Sequence, residues 1–188
     1  MAARVDAIVI GGSSGALEAL AALLPGIGSP GTVPIAIVVH LPPARPSRIP
    51  EVLAARAKLP VREAEDKEPA EPGIIYVAPP NYHLLVERGG TFALSDDEAL
   101  HFSRPAIDAL FESAADAYGG RLAGVLLSGA SEDGAAGLAV IQRAGGVVIV
   151  QSPDDAVSRP MPEAALARLE PDHLLPAREI GPVLGSLT

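Results

Sequence analysis

The sequence predicts an α/β fold: a doubly wound, mostly parallel sheet with helices on both faces and an antiparallel hairpin. Two observations indicate this class. Short, continuous apolar runs, typical of strands buried on both faces, alternate with segments whose apolar residues recur at helical spacing. Hydrophobic residues make up 48% of the 188 residues and aromatic ones only 3%, so aliphatic side chains fill the predicted core. A chain of this length suits one domain.

In the first half of the chain, three apolar runs alternate with two amphipathic segments. In order, the prediction is strand 7–10, helix 17–24, strand 33–39, helix 46–57 and strand 73–78. Residues that break regular structure mark each boundary: Gly11-Gly12, Pro25-Gly26, the Leu-Pro-Pro after His40, Pro60 and Pro79-Pro80.

The second half begins with a predicted hairpin, because residues 84–86 and 91–94 flank Gly89-Gly90. The elements that follow are helix 105–118, strand 122–127, helix 132–143, strand 147–150 and helix 161–169. Ligands of parallel α/β sheets bind beyond the carboxyl ends of the strands. The residues directly after each strand are therefore the first candidates for a functional site.

Charge and composition narrow the classes of partner. Acidic residues outnumber basic ones by 23 to 14, for a net charge of −9. Acidic clusters such as residues 63–68, expected to be a solvated loop, would repel phosphate, so we expect no nucleic-acid partner. The absence of cysteine excludes a thiol nucleophile and a thiolate metal site. No apolar run approaches the roughly 20 residues of a membrane helix, so we expect no membrane insertion and a cytoplasmic protein.

Three polar side chains follow predicted strands and together form a candidate catalytic triad. Ser13 lies in the glycine-rich turn after the first strand, His40 follows the second, and Asp133 follows the strand over residues 122–127. A serine hydroxyl needs a base, an imidazole can supply one, and a carboxylate can hold that imidazole in the required tautomer. The N-terminus of the helix after Ser13 could stabilise a developing oxyanion.

Each of these residues also has a purely structural interpretation. Ser13 or Ser14 could cap the first helix, His40 could bond a neighbouring carbonyl group, and Asp133 could be an acidic residue in the first turn of a helix. Spacing alone does not decide between these interpretations and a triad.

Other functional classes fit the sequence less well. A dinucleotide site lacks the G-x-G-x-x-G pattern, and a P-loop lacks its lysine. An α/β-hydrolase with the order Ser13, Asp133 and His173 would need several strands before its nucleophile, and only one precedes Ser13. The four histidines are scattered without an H-x-x-x-H pair, so a metal site is weakly supported.

The sequence resembles the CheB family, the catalytic domains of chemoreceptor methylesterases, from about residue 8 to residue 166. Ile10-Gly-Gly-Ser-Ser-Gly15 is similar to the family's I-G-A-S-T-G, and Val39-His-Leu-Pro-Pro43 to Q-H-M-P-P. Ser128-Gly-Ala-Ser-Glu-Asp-Gly-Ala-Ala-Gly137 is similar to T-G-M-G-x-D-G-A-x-G. Further family segments match residues 72–79, 104–111 and 161–162.

The resemblance implies a serine esterase that hydrolyses γ-glutamyl methyl esters on methyl-accepting chemotaxis receptors to glutamate and methanol, with glutamine deamidation as a further activity. It gives Ser13 the role of nucleophile, His40 that of general base and Asp133 that of the orienting carboxylate. Neither step requires a metal or an organic cofactor. The methylated receptor is the implied protein substrate, and Arg104 is a further candidate for a place beside the site.

The sequence departs from the family pattern in ways that leave an alternative open. Val39 replaces the family's glutamine, and Gly129-Ala130-Ser131 replaces its glycine-methionine-glycine, whose methionine position is associated with oxyanion stabilisation. The alternative is a CheB-like module that binds a receptor or signalling partner without turnover. Typical members also carry an N-terminal receiver domain. Because the resemblance begins within the first ten residues, we expect residues 1–188 to be one catalytic domain without a receiver domain, with a separate regulatory protein in its place.

Overall fold

The structure is a computed structural model that describes residues 4–28, 33–40 and 47–188. Its strands are β1 (Ala7–Gly12), β2 (Ile35–Val39), β3 (Val61–Glu63), β4 (Ile75–Val77), β5 (His83–Glu87), β6 (Thr91–Ser95), β7 (Leu122–Leu126), β8 (Val147–Gln151) and β9 (His173–Leu175). Its α-helices are α1 (Ala16–Leu23), α2 (Ile49–Ala54), α3 (Ile107–Tyr118), α4 (Ala135–Arg143), α5 (Pro160–Leu166) and α6 (Ala177–Leu187).

The sheet confirms the predicted fold class. Within the described residues, seven strands pair in the order β3-β4-β2-β1-β7-β8-β9, and every pairing is parallel. β5 and β6 form a separate antiparallel pair, the predicted hairpin. The chain moves outward from β1 through β2 in its first half and outward from β7 in its second. The switch point of the topology, where such folds bind ligands, therefore lies between β1 and β7.

Two hydrophobic cores cover the two faces of the sheet. On β1, Ile8 and Ile10 contact the core formed with α1, α2 and α6, whereas Ala7 and Val9 contact the core formed with α3, α4, α5 and the hairpin. Successive residues of a strand point to opposite faces, so a run that is apolar throughout serves both cores. This explains why the strand signals in the sequence are continuous rather than alternating.

The prediction missed both edge strands, β3 and β9. Each has only three residues, and each pairs along one side only, β3 with β4 and β9 with β8. β3 ends at Glu63, so the first residue of the expected acidic loop lies in a strand, where Arg62 and Glu63 are only partly buried. An edge strand buries little apolar surface, so its sequence lacks the apolar run by which the central strands were recognised.

The prediction also missed helix α6, because Gly181 and Pro182 break the helical pattern of its sequence. Burial of Ile180 and Leu184 against α1 offsets the weak helix propensity. Gly181 is required by close packing, since a Cβ atom there would lie 2.1 Å from the carbonyl oxygen of Leu23.

The other predicted elements are present with shifted ends. The predicted helix over residues 132–143 begins at Ala135, because Gly134 has a left-handed φ of 93°. The helix predicted over residues 161–169 spans Pro160–Leu166. The start predicted at residue 46 for the second helix lies outside the described residues, and its described part is Ile49–Ala54. In the described part of the chain, none of the helices has the length and apolar character needed to cross a bilayer.

Candidate active site

Ser13, His40 and Asp133 lie at the carboxyl edge of the sheet, after three neighbouring strands. The register pairs Gly12 with Val39, and the N–H of His40 donates to the carbonyl oxygen of Gly12 at 3.1 Å. The N–H of Ser13 donates to the carbonyl oxygen of Ser128, directly after β7, at 2.9 Å. Ladder hydrogen bonds thus continue past the strand ends and fix the backbone of both candidate residues.

The turn that carries Ser13 packs closely against Val157. Gly15 is the N-cap residue of α1 with a left-handed φ of 80°, and among the described residues no side-chain hydrogen bond caps the helix. A Cβ atom on Gly15 would lie 2.5 Å from the Cβ atom of Val157. Neither serine is therefore a helix cap, and the Ser13 hydroxyl, on a partly exposed residue, is left for another role.

His40 and Asp133 form a hydrogen-bonded pair. His40 Nε2 lies 2.7 Å from Asp133 Oδ2, and the two side chains are 11% and 0% exposed. His40 is therefore hydrogen-bonded to a carboxylate, and not to a neighbouring carbonyl group as in its structural interpretation. Asp133 lies before α4 rather than in its first turn, so its side chain can reach across to His40 and α3.

The Asp133 carboxylate is held in its ionised form by three donors. Besides His40, it accepts the N–H of Ile107 at 2.7 Å and the N–H of Asp108 at 2.9 Å. Burial alone would raise the pKa of this carboxyl, but the hydrogen bonds from His40 and the two backbone groups outweigh it, so the pKa lies below the usual 3.8. A buried anion beside an imidazole can orient the ring and stabilise its protonated form.

The Ser13 hydroxyl is not hydrogen-bonded to His40 in the described part of the chain, although their backbones lie on neighbouring strand ends. The contact with Asp133 uses Nε2 of His40 and leaves Nδ1 as the nitrogen available to Ser13. Catalytic hydrogen bonds are often long in unliganded enzymes, so this geometry is compatible with a serine–histidine relay.

Near this pair lies a second histidine–aspartate contact that the sequence did not reveal. His101 Nε2 lies 2.9 Å from Asp108 Oδ2, while Asp108 Oδ1 accepts the N–H of Gly137 at 2.7 Å and that of Gly134 at 3.0 Å. Burial raises the pKa of Asp108, opposed by the Gly137 hydrogen bond and reinforced by the charge of Asp133. Spacing gave no signal, because the two backbone donors come from the N-cap residue and the first turn of another helix, α4.

His101, Asp108 and Asp133 bring ligand-type atoms within 4.8 Å of one another. Each carboxylate oxygen in this group already accepts a hydrogen bond from a backbone N–H or a histidine ring. The arrangement matches hydrogen-bonded capping of two helices.

The loop after β7, residues 127–134, is held by a polar network that the sequence analysis missed. Gln151 accepts the N–H of Ser128 at 2.8 Å and donates to Asp155 at 2.8 Å. The Ser128 hydroxyl donates to the carbonyl oxygen of Ser14 at 2.6 Å and accepts the N–H of Ser158 at 2.8 Å. These contacts tie the Ser13 turn to the loop that carries Asp133.

A cavity of about 290 Å³ opens beside His40. Asn81, Phe102 and Arg104 are among its lining residues. The Arg104 guanidinium donates to the carbonyl oxygens of Asp96 and Asp97 at 2.8 and 3.1 Å, which fixes it at the cavity wall. His173, considered above for an α/β-hydrolase order, lies on β9, which β7 and β8 separate from β1 in the sheet, so it does not lie beside Ser13.

The chain and its fold match a known protein family. The family model for CheB methylesterase matches residues 8–184. The chain belongs to the CheB methylesterase family. It is therefore a carboxylic ester hydrolase by family, as the resemblance implied. The CheB fold is also shown by the crystal structure of the Thermotoga maritima CheB methylesterase catalytic domain, with a TM-score of 0.93, 31% identity and coverage of 98% of this chain and 100% of that one.

Curated CheB relatives carry the corresponding activities in their names. A putative protein-glutamate methylesterase/protein-glutamine glutaminase of Leptospira interrogans is 44% identical over 141 residues, which are 75% of this chain and 73% of the relative. Protein-glutamate methylesterase/protein-glutamine glutaminase 2 of Caulobacter vibrioides is 38% identical over 149 residues, 77% of this chain but only 43% of the relative.

Proposed function

We propose that this CheB chain is a serine esterase that hydrolyses γ-glutamyl methyl esters on methyl-accepting chemotaxis receptors, and that it acts in the cytoplasm. The observation that carries the proposal is the 2.7 Å contact between His40 and buried Asp133. This contact lies at the carboxyl edge of the sheet, where Ser13 follows β1, the strand beside β2. The names of the relatives supply the substrate class, and the proposal assigns it to these three residues.

In the first step, Ser13 Oγ attacks the ester carbonyl carbon while His40 accepts the hydroxyl proton. The imidazolium that forms is paired with the Asp133 carboxylate, which is already ionised and is buried away from water. Collapse of the tetrahedral intermediate breaks the bond to the methoxy oxygen, and His40 returns its proton to that oxygen. Methanol leaves, and the glutamyl group remains as an ester on Ser13.

In the second step, water attacks the glutamyl ester and gives its proton to His40. The Ser13–acyl bond then breaks, Ser13 recovers its proton from His40, and glutamate is released. A receptor glutamine can follow the same route with ammonia as the leaving group, which accounts for the glutaminase activity named for the relatives.

Backbone groups supply the stabilisation of the oxyanion in this proposal. Neither Ser14 nor Gly15 donates its N–H to an acceptor in the described part of the chain, and both lie at the N-terminus of α1. Ala130, at the family's methionine position, keeps a backbone N–H and is exposed. One such donor contributes on the order of a hundredfold or more to the rate.

Release of methanol from methylated receptor by wild-type and Ser13→Ala protein tests the proposal. Ser14→Ala is the matched control, because it removes the neighbouring hydroxyl but keeps the carbonyl oxygen that Ser128 contacts. We expect Ser13→Ala to abolish release with an unchanged thermal midpoint, and Ser14→Ala to retain it. Receptor binding by the wild-type chain without methanol release would instead support the binding module without turnover.

A further inference from the structure

A tight turn lies at the mouth of the His40 cavity. The N–H of Leu100 donates to the carbonyl oxygen of Ser103 at 3.1 Å, and the N–H of Ser103 donates to that of Leu100 at 2.8 Å. His101 and Phe102 between them have φ values of 49° and 61°. Reciprocal hydrogen bonds around two residues of positive φ describe a type I′ hairpin turn.

The sequence of this turn is unfavourable for its conformation. Type I′ turns favour Asn-Gly, because most side chains are strained in the left-handed region. Here the two central positions carry an imidazole and a benzyl group. Strained residues persist where the surrounding structure holds them, and such residues cluster at functional sites.

The His101 ring anchors the strained turn to the protein interior. Its Nε2 atom lies 2.9 Å from Asp108, a carboxylate that is only 4% exposed and is itself held by two backbone N–H groups of the Asp133 loop and α4. The turn is thus connected to the same loop that positions Asp133.

Phe102 is the fully exposed residue of this turn. The chain has three phenylalanines, and Phe92 and Phe111 are 1% and 0% exposed, whereas Phe102 is 105% exposed. Phe102 is also one of the residues that line the cavity beside His40. A folded protein gains nothing from a fully hydrated aromatic ring on a strained turn, but a ring so placed can bury its surface against whatever enters the cavity.

We propose that the turn over residues 100–103 is a substrate-recognition element, in which Phe102 contacts apolar side chains of the protein substrate beside the methylated glutamate. This inference rests on the proposed function. A small ester can enter the cavity without covering the turn, whereas a protein that brings a side chain to His40 approaches the cavity mouth, where Phe102 lies. Phe102 is therefore a specificity-determining residue, and His101 is a positioning residue that acts through the turn.

The test compares kcat/KM for methylated receptor with kcat/KM for p-nitrophenyl acetate in the same protein. In Phe102→Ala we expect the ratio of the two constants to fall about tenfold through a higher KM for the receptor, since burying a large apolar side chain contributes on this scale. Phe102→Trp should restore most of the ratio. Leu174→Ala, which removes an exposed side chain on β9, is the matched control and should leave the ratio unchanged.

Phe102→Gly separates the ring from the turn, because glycine adopts positive φ without strain and keeps the His101 anchor. We expect the same loss as in Phe102→Ala. A wild-type ratio in Phe102→Gly would overturn the inference, since the ring would then make no contact. Wild-type protein that releases no methanol from the receptor would overturn the proposed function and the inference with it, whereas active wild-type protein with unchanged Phe102 variants overturns the inference alone.

Discussion

Asp108 and Asp133 cap each other's helices. The Asp133 carboxylate accepts the N–H groups of Ile107 and Asp108 at the start of α3, and the Asp108 carboxylate accepts those of Gly134 and Gly137 at the start of α4. Each anion also lies at the positive end of the other's helix dipole. The carboxylate proposed for catalysis is therefore part of the packing between α3 and α4.

Replacement of Asp108 by asparagine should destabilise the fold. The amide nitrogen would take the place of Oδ2 toward His101, and the neutral amide oxygen would accept the N–H groups of Gly134 and Gly137 more weakly than the carboxylate does, a loss of about 1–3 kcal/mol over the two bonds in the free energy of unfolding. Urea unfolding measures this difference. Asp116→Asn, on the exposed face of the same helix, removes only a surface ion pair with Arg88 and should change stability by less than about 1 kcal/mol. Equal stabilities for the two variants would contradict the reciprocal capping.

Asp133→Asn should lower kcat by about 10³–10⁴-fold, because an amide can no longer stabilise the His40 imidazolium or fix its tautomer. The expected KM for methylated receptor stays within about threefold of wild type, since Asp133 is buried and does not reach the substrate. Steady-state methanol release gives both constants. A variant that retained wild-type kcat would show that His40 works without this carboxylate.

The lowered pKa of Asp133 predicts how stability depends on pH. The unfolded chain takes up the Asp133 proton near the usual 3.8, before the folded chain does, so the contribution of this group is complete above that pH and is lost as pH falls through the lower folded value. Below about pH 4, wild-type unfolding free energy should therefore fall more steeply than that of Asp133→Asn. Urea titrations at a series of pH values test this, and parallel curves would contradict the lowered pKa.

Gly15→Ala should disturb the Ser13 turn. The new methyl group would meet Val157 at 2.5 Å on a backbone with φ of 80°, and a left-handed non-glycine residue alone costs about 1–2 kcal/mol. We expect lower thermal stability together with reduced esterase activity. Gly28→Ala is the control, because a Cβ there meets none of the described residues within 4 Å. Equal esterase activity in both variants would show that catalysis does not depend on the geometry of the Ser13 turn.

The central strands and most helices could be predicted because burial on both faces leaves an unbroken apolar signal. The edge strands β3 and β9 carry no such signal. Helix α6 is stabilised by the packing of Ile180 and Leu184, which its local sequence does not indicate. For the site, strand order explains why His40 and Asp133 could be expected to meet, and they do at 2.7 Å. Their catalytic roles, like that of Ser13, stay predictions.

The His101–Asp108 contact and the reciprocal caps could not have been predicted from one sequence. The caps join a carboxylate to backbone groups at the start of another helix, 25 to 29 residues away in the chain, and the His101–Asp108 contact depends on the positive-φ turn that carries His101. Local capping signals concern residues within a few positions, so they give no information about such contacts.

Covalent labelling with a fluorophosphonate tests the central claim most directly, since such reagents phosphonylate a serine whose hydroxyl is activated by a base. Peptide mapping by mass spectrometry should place a single adduct on Ser13, formed in step with the loss of methanol release and formed far more slowly in His40→Gln. Full esterase activity after Ser13 is modified, or loss of activity in step with modification of another residue, would contradict the proposed relay.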